Sequence, residues 1–169
     1  MTLRSAGLLV WRRDVTGPAG PSIDGLGAVR VLLAHPGGPL FGRKDDGVWS
    51  VPKGEYPVDE DPLSAARREF AEEVGVPAPD GLLHPLGEAR GRGGKVNTVW
   101  AVEVADASGL PDGPVESNLF PMVWPPRSGR VQHFPEVDRV EWFDLATARR
   151  KVFPAQAPFL DRLAELAGG

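Results

Sequence analysis

Three acidic residues define the chemistry this chain can offer. Glu69, Glu72 and Glu73 lie three and four positions apart. In a helix each residue turns roughly 100°, so this spacing puts the three carboxylates on one face. Like charges gathered in this way repel one another. A hard divalent cation turns that cost into affinity, and oxygen donors suit Mg²⁺ or Mn²⁺. Arg68 stands beside them and can hydrogen-bond a neighbouring carboxylate and orient it. Gly54 lies upstream and leaves its backbone open to close approach, so its carbonyl is a further candidate ligand. Cations on phosphate oxygens, an activated water and a carboxylate to take its proton are the parts that phosphoanhydride cleavage needs. For the helix taken alone, a solvated acidic face with ordinary surface ion pairs is an equal reading.

The helix that carries these residues is the clearest element of the chain. Asp61 can cap it, and Pro62 suits its first turn. Leu63, Ala66, Phe70 and Val74 recur at helical spacing and form the expected core stripe. Gly75 can end the helix in a left-handed conformation, and Pro77 stops its continuation. Around it, residues 5–11, 29–35, 49–51, 95–104, 122–124 and 139–143 read as strands. Residues 145–152 and 158–166 read as helices, with Leu160, Leu163 and Leu166 facing inward. Two Gly/Pro-rich stretches, 14–27 and 106–121, read as loops. Strands around one helix, with helices closing the chain, suggest a mixed sheet sandwiched between helices.

The segment 54–76 resembles the Nudix box, Gly-x5-Glu-x7-Arg-Glu-apolar-x-Glu-Glu-x-Gly-apolar. Gly54, Glu60, Arg68, Glu69, Phe70, Glu72, Glu73, Gly75 and Val76 fill its defined positions. The resemblance implies an α/β fold, the Nudix-type α/β/α sandwich with a mixed β-sheet, in which the box is a loop–helix–loop. It implies a Mg²⁺-dependent hydrolase that cleaves a phosphoanhydride bond in a nucleoside diphosphate-linked substrate. Glu69, Glu72 and Glu73 then handle metal and water, with the Gly54 carbonyl as a further ligand, and Glu60 and Arg68 orient or brace. Members often supply an extra carboxylate from a later loop, for which Glu116 and Glu136 are the candidates here.

The flanks bear on substrate. The Pro52-Lys53-Gly54 approach resembles that of hydrolases of dinucleoside polyphosphates and diphosphoinositol polyphosphates. Lys53 there is a point charge useful to a longer phosphate chain. Arg127 and Arg130 follow Pro125-Pro126, and a stiffened loop of this kind can present guanidiniums to phosphates. Residues 91–94 lack the proline seen in ADP-ribose hydrolases, and the chain's one tyrosine, Tyr56, lies inside the box. The substrate expectation is therefore a dinucleoside polyphosphate or a nucleoside triphosphate. An oxidised-nucleotide sanitiser shares the chemistry. A catalytically silent nucleotide-sensing domain is the alternative from another class, and such members usually lose a box acid, which this chain does not.

The chain has 169 residues, enough for one domain with a real core, and the expectation is a single Nudix domain over 1–169. Its formal charge of −4 offers no broad surface for nucleic acid or an anionic membrane, which makes a role at RNA 5′ ends the weaker reading. The absence of cysteine excludes disulfides, thiolate metal sites and cysteine nucleophiles, and fits a reducing cytoplasm. The apolar run at 6–11 is too short for a signal-peptide core or a membrane span. A cytoplasmic protein acting on a nucleotide-type small molecule, open to homodimer formation, is the expectation.

Overall fold

The structure is a computed structural model and describes residues 2–14 and 28–169. Most of the expected loop at 14–27 thus lies outside the described residues. Nine strands and three α-helices follow along the described chain. They are β1 (Arg4–Arg13), β2 (Val29–Pro36), β3 (Lys53–Glu55), α1 (Pro62–Val74), β4 (Leu83–Arg90) and β5 (Val96–Glu103). After these come β6 (Gly113–Pro114), β7 (Leu119–Val123), β8 (Val131–Pro135), β9 (Val137–Asp144), α2 (Leu145–Lys151) and α3 (Ala157–Gly168). Among the described residues no helix is long and apolar enough to cross a membrane.

The main sheet runs β4-β5-β1-β2-β9-β6, with β3 also on β1. Only the β1–β5 pair is parallel; the other named pairs are antiparallel, so the sheet is mixed. β1 is buried on both faces, and its period-2 alternation divides the core. Leu8 and Val10 join Phe70 and Val74 of α1 on one face. Leu9 and Trp11 join Phe159, Leu160 and Leu163 of α3 and Ala148 of α2 on the other. The expected α/β/α sandwich is what forms.

Several elements differ from the sequence reading. β4 is a full strand where none is expected, because Pro85 and Gly87 interrupt its alternation and a register shift lies between them. Residues 49–51 are not a strand but make two isolated bridges, Ala34 to Ser50 and Trp49 to Val152. The strand starts after Pro52, as β3 on β1. The expected loop at 106–121 contains the short β6 and the start of β7. β7 and β8 pair only with each other, forming a separate two-stranded sheet that carries residues 124–130 at its turn.

Candidate active site

The carboxylate helix begins and ends as its sequence dictates. Asp61 accepts a hydrogen bond from the Ser64 N–H at 2.9 Å, and Gly75 closes the helix at φ 85° with its N–H on the Ala71 carbonyl. Ala65, Ala66, Phe70 and Val74 are buried, while Leu63, expected on that stripe, is only half-buried. Glu69 takes a buried place instead, with 7% of its surface exposed. It faces β3 rather than solvent.

Gly54 explains how a carboxylate fits there. A Cβ on Gly54 would collide with Glu69 Oε2. The carboxylate occupies the space that any side chain at 54 would need, so glycine is a steric requirement as well as an open carbonyl. Gly54 pairs with Ala6 on β1, so the centre of the sheet fixes its position.

Arg68 gathers the acids. Its Nε and Nη2 donate to the two oxygens of Glu60 at 2.8 and 2.9 Å, a bidentate pair. Its Nη1 donates to Glu69 at 2.7 Å and to Glu72 at 3.2 Å. One guanidinium thus braces three carboxylates, and the bonds to Glu60, Glu69 and Glu72 hold it charged. Glu73 lies on the other flank and accepts the Lys53 backbone N–H at 3.1 Å. Burial pushes the Glu73 carboxyl up to about 8 against the pull of Lys53, and burial likewise lowers Lys53. Burial also raises Glu69, against its bond to Arg68.

Glu136 belongs to the same cluster. Burial and the charge of Glu72 raise its carboxyl, and its own charge is felt at Glu69 and Glu73. Backbone bonds seat it there. Its N–H donates to the Asn118 carbonyl at 2.9 Å, and the Asn118 N–H donates to the Glu72 carbonyl at 3.3 Å. Its side chain makes no hydrogen bond among the described residues. Glu116 is placed differently: its backbone oxygen lies beside the Gly75 cap and its side chain is exposed.

The residues expected to bind phosphate separate. Lys53 is half-buried between Glu73 and a cavity of about 890 Å³ that it helps to line. Arg127 and Arg130 are exposed at the β7–β8 turn, form no ion pair among the described residues and are not part of that cavity. Sequence reasoning missed the other basic residues of the cavity. The signal was present in residues 90–95, where two arginines and a lysine surround a run of turn glycines.

Whether the cluster suits a metal can be judged from its donors. Among the described residues no three His, Cys, Asp or Glu side chains stand around a common point at ligand spacing. Glu69 and Glu72 are turned onto Arg68, and Glu73 onto the Lys53 N–H. Yet the donors are all oxygen; besides burial, Glu69 is raised by the charges of Glu72 and Glu136, and Glu73 by those of Glu69 and Glu136. Clustered carboxylates short of compensating charge have the donor chemistry of a hard divalent cation site.

The profile of the NUDIX domain matches residues 23–163. The chain belongs to the NUDIX domain family. Solved structures agree at the level of the fold. The Ap4A hydrolase of C. elegans, in a binary complex, superposes with a TM-score of 0.61 at 21% identity, covering 98% of this chain and 99% of that one. The NUDIX domain of Shewanella oneidensis NrtR, complexed with ADP ribose, gives 0.56 at 17% identity over 98% and 88%. MutT from Aliivibrio salmonicida and Vibrio cholerae gives 0.52 at 15% identity over 96% of each chain.

Proposed function

We propose that this Nudix hydrolase uses Mg²⁺, or Mn²⁺ in its place, to cleave a phosphoanhydride in a dinucleoside polyphosphate or nucleoside triphosphate. The observation that carries the reading is that Glu69, Glu72 and Glu73 share one helix, with Glu69 against Gly54, while Glu136, between β8 and β9, is seated beside that helix through Asn118. The names of two structural neighbours support nucleotide chemistry: one is an Ap4A hydrolase and another was solved with ADP ribose.

Glu69, Glu72, Glu73 and the Gly54 carbonyl would hold the divalent ion. Such an ion supplies charge neutralisation on phosphate oxygens and a more acidic water. Arg68 fixes the orientation of Glu69 and Glu72 through bonds already formed. Glu60 in turn fixes Arg68 through both of its oxygens. Glu69 is committed to Arg68, whereas the Glu136 side chain has no such bond. Glu136 is therefore assigned the role of taking the proton from the attacking water, in preference to Glu69 or Glu116.

The test is a panel of nucleotides incubated with Mg²⁺, with products resolved by chromatography. Diadenosine tetraphosphate or ATP is expected to be cut, and excess chelator to stop the reaction. Glu136→Gln should lower kcat by roughly 10²–10⁴-fold, the usual scale for a general base. Glu116→Gln should stay within about threefold of the parent. Turnover that survives chelation sinks the metal-dependent mechanism. A larger loss in Glu116→Gln than in Glu136→Gln transfers the base to residue 116.

A further inference from the structure

The cavity on the far side of Lys53 has an unusual lining. Lys44, Lys53, Arg90, Arg92 and Lys95 border it, and among the described residues no acidic one does. The chain as a whole has 23 acidic and 19 basic residues, so this concentration of one sign runs against the overall balance. Lys95 pairs with Glu55, and Lys53 donates its backbone N–H to Glu73 and feels that residue's charge. Lys44, Arg90 and Arg92 make no ion pair among the described residues, and all three are exposed. Uncompensated cations around a concave site focus a positive potential that draws in anions.

The β4–β5 turn presents two of these charges. The Gly91 N–H donates to the Lys95 carbonyl at 2.7 Å, and the Gly94 N–H donates to the Gly91 carbonyl at 3.2 Å. Gly93 and Gly94 take positive φ of 70° and 78°, which lets the chain reverse tightly with Arg90 and Arg92 at the mouth. Phe41, Val48, Phe153 and Pro154 give the opposite wall an apolar surface.

Asn97 adds a directional group. It lines the cavity with only 4% of its surface exposed, and its Oδ1 has no hydrogen-bond partner among the described residues. A buried acceptor left unmade is costly. The other amide in the lining, Gln156, is already used: it accepts from the Val51 N–H and donates to Ser50 Oγ. Asn97 is thus the lining amide that still calls for an N–H or O–H donor.

We propose that this cavity holds the nucleoside and outlying phosphates of a substrate with three or more phosphates. Lys44, Arg90 and Arg92 grip the phosphates beyond those at the carboxylate cluster. The apolar wall takes the face of the ring, and Asn97 accepts a hydrogen bond from the base. About 890 Å³ lies within the range of nucleotide-sized pockets. The assignment rests on the hydrolase reading above and adds a preference for chain length. It also moves the phosphate grip from Arg127 and Arg130 to the β4–β5 turn.

Calorimetric titration in excess chelator separates the two readings, because binding is then measured without turnover. ATP, ADP-ribose and inorganic tripolyphosphate serve as probes. The parent protein should bind ATP more tightly than either of the others. Arg92→Ala and Lys44→Ala should each weaken ATP binding by roughly 10–150-fold, the loss expected for one charge-assisted hydrogen bond. ADP-ribose should change by less than about threefold. Asn97→Leu should abolish the preference for ATP over tripolyphosphate, and Asn97→Ser provides the same test if the leucine variant folds poorly. Equal losses on ATP and ADP-ribose, no loss on either, or tripolyphosphate binding as well as ATP would each overturn the assignment. Tight ATP binding that Arg92→Ala and Lys44→Ala weaken, without turnover in Mg²⁺, would leave it standing and remove the catalytic reading instead.

Discussion

At the scale of single residues, the site depends on what Gly54 lacks. Glu69 is a buried carboxylate on a helix face that would otherwise pack apolar groups, and it is accommodated because no side chain stands at 54. Gly54→Ala should therefore act as a site mutation more than a backbone one. Its new Cβ must displace the Glu69 carboxylate from the space it occupies, breaking alignment with Arg68. Misplacing a reacting group by about 1 Å can cost on the order of 10²-fold in rate. The expected outcome is such a loss in kcat with the far-ultraviolet circular dichroism spectrum unchanged. Activity within about threefold of the parent would mean that the position of Glu69 is not critical.

At the scale of elements, the helices are held by local devices that the sequence displays. Asp144 caps α2 by accepting the Thr147 N–H at 2.8 Å and its hydroxyl at 3.0 Å. The Thr147 backbone bond, with help from its hydroxyl and from Arg30, lowers the Asp144 carboxyl below the usual carboxylate range. A lowered acid stabilises the fold at pH values above its unfolded pKa, near 4, and loses that contribution as pH falls through the folded value. Partial exposure keeps the effect below about 1 kcal/mol. Asp144→Asn keeps a capping oxygen but cannot titrate. Its melting temperature should fall less steeply than the parent's between about pH 5 and 2, while Asp144→Ala should be less stable near neutral pH by about 0.5–2 kcal/mol. Parallel curves for Asp144→Asn and the parent would show that the cap carries no part of the acid sensitivity.

At the scale of the whole molecule, the two faces of the sheet have different duties. Phe70 anchors the carboxylate helix on one face, and Phe159 anchors α3 on the other. Both rings are fully buried, so Phe70→Ala and Phe159→Ala should each cost about 3–5 kcal/mol. Only Phe70→Ala loosens the element that carries Glu69, Glu72 and Glu73. In assays well below both melting temperatures, Phe70→Ala should lose kcat by at least tenfold, and Phe159→Ala should keep it within about threefold. The expected contrast concerns rate rather than stability, and a matching loss of rate in both variants would contradict it.

Everything that local spacing can encode is legible along the chain. The helix at 62–74, its Asp61 and Gly75 caps and the common face of the three glutamates follow from a 3.6-residue repeat and from backbone preferences. Box residues from Gly54 to Val76 were legible for the same reason, since they lie within one short segment. Position across the chain was decided by the tertiary structure. Glu136 joins a helix more than sixty residues upstream because Asn118 and β9 seat it there, and nothing in its neighbourhood separates it from Glu116. The β4 strand was hidden because Pro85 and Gly87 break the alternation that marks a strand, while pairing with β5 restores it across a register shift. Lys44 is far along the chain from Arg90, Arg92 and Asn97, and the four share one cavity only after the sheet has formed. Charge alone groups Arg127 and Arg130 with Lys53, yet a hairpin whose strands pair with each other carries them at its turn. Charge is written in the sequence, but which charges meet is set by strand order and register, and those depend on contacts between residues far apart in the chain.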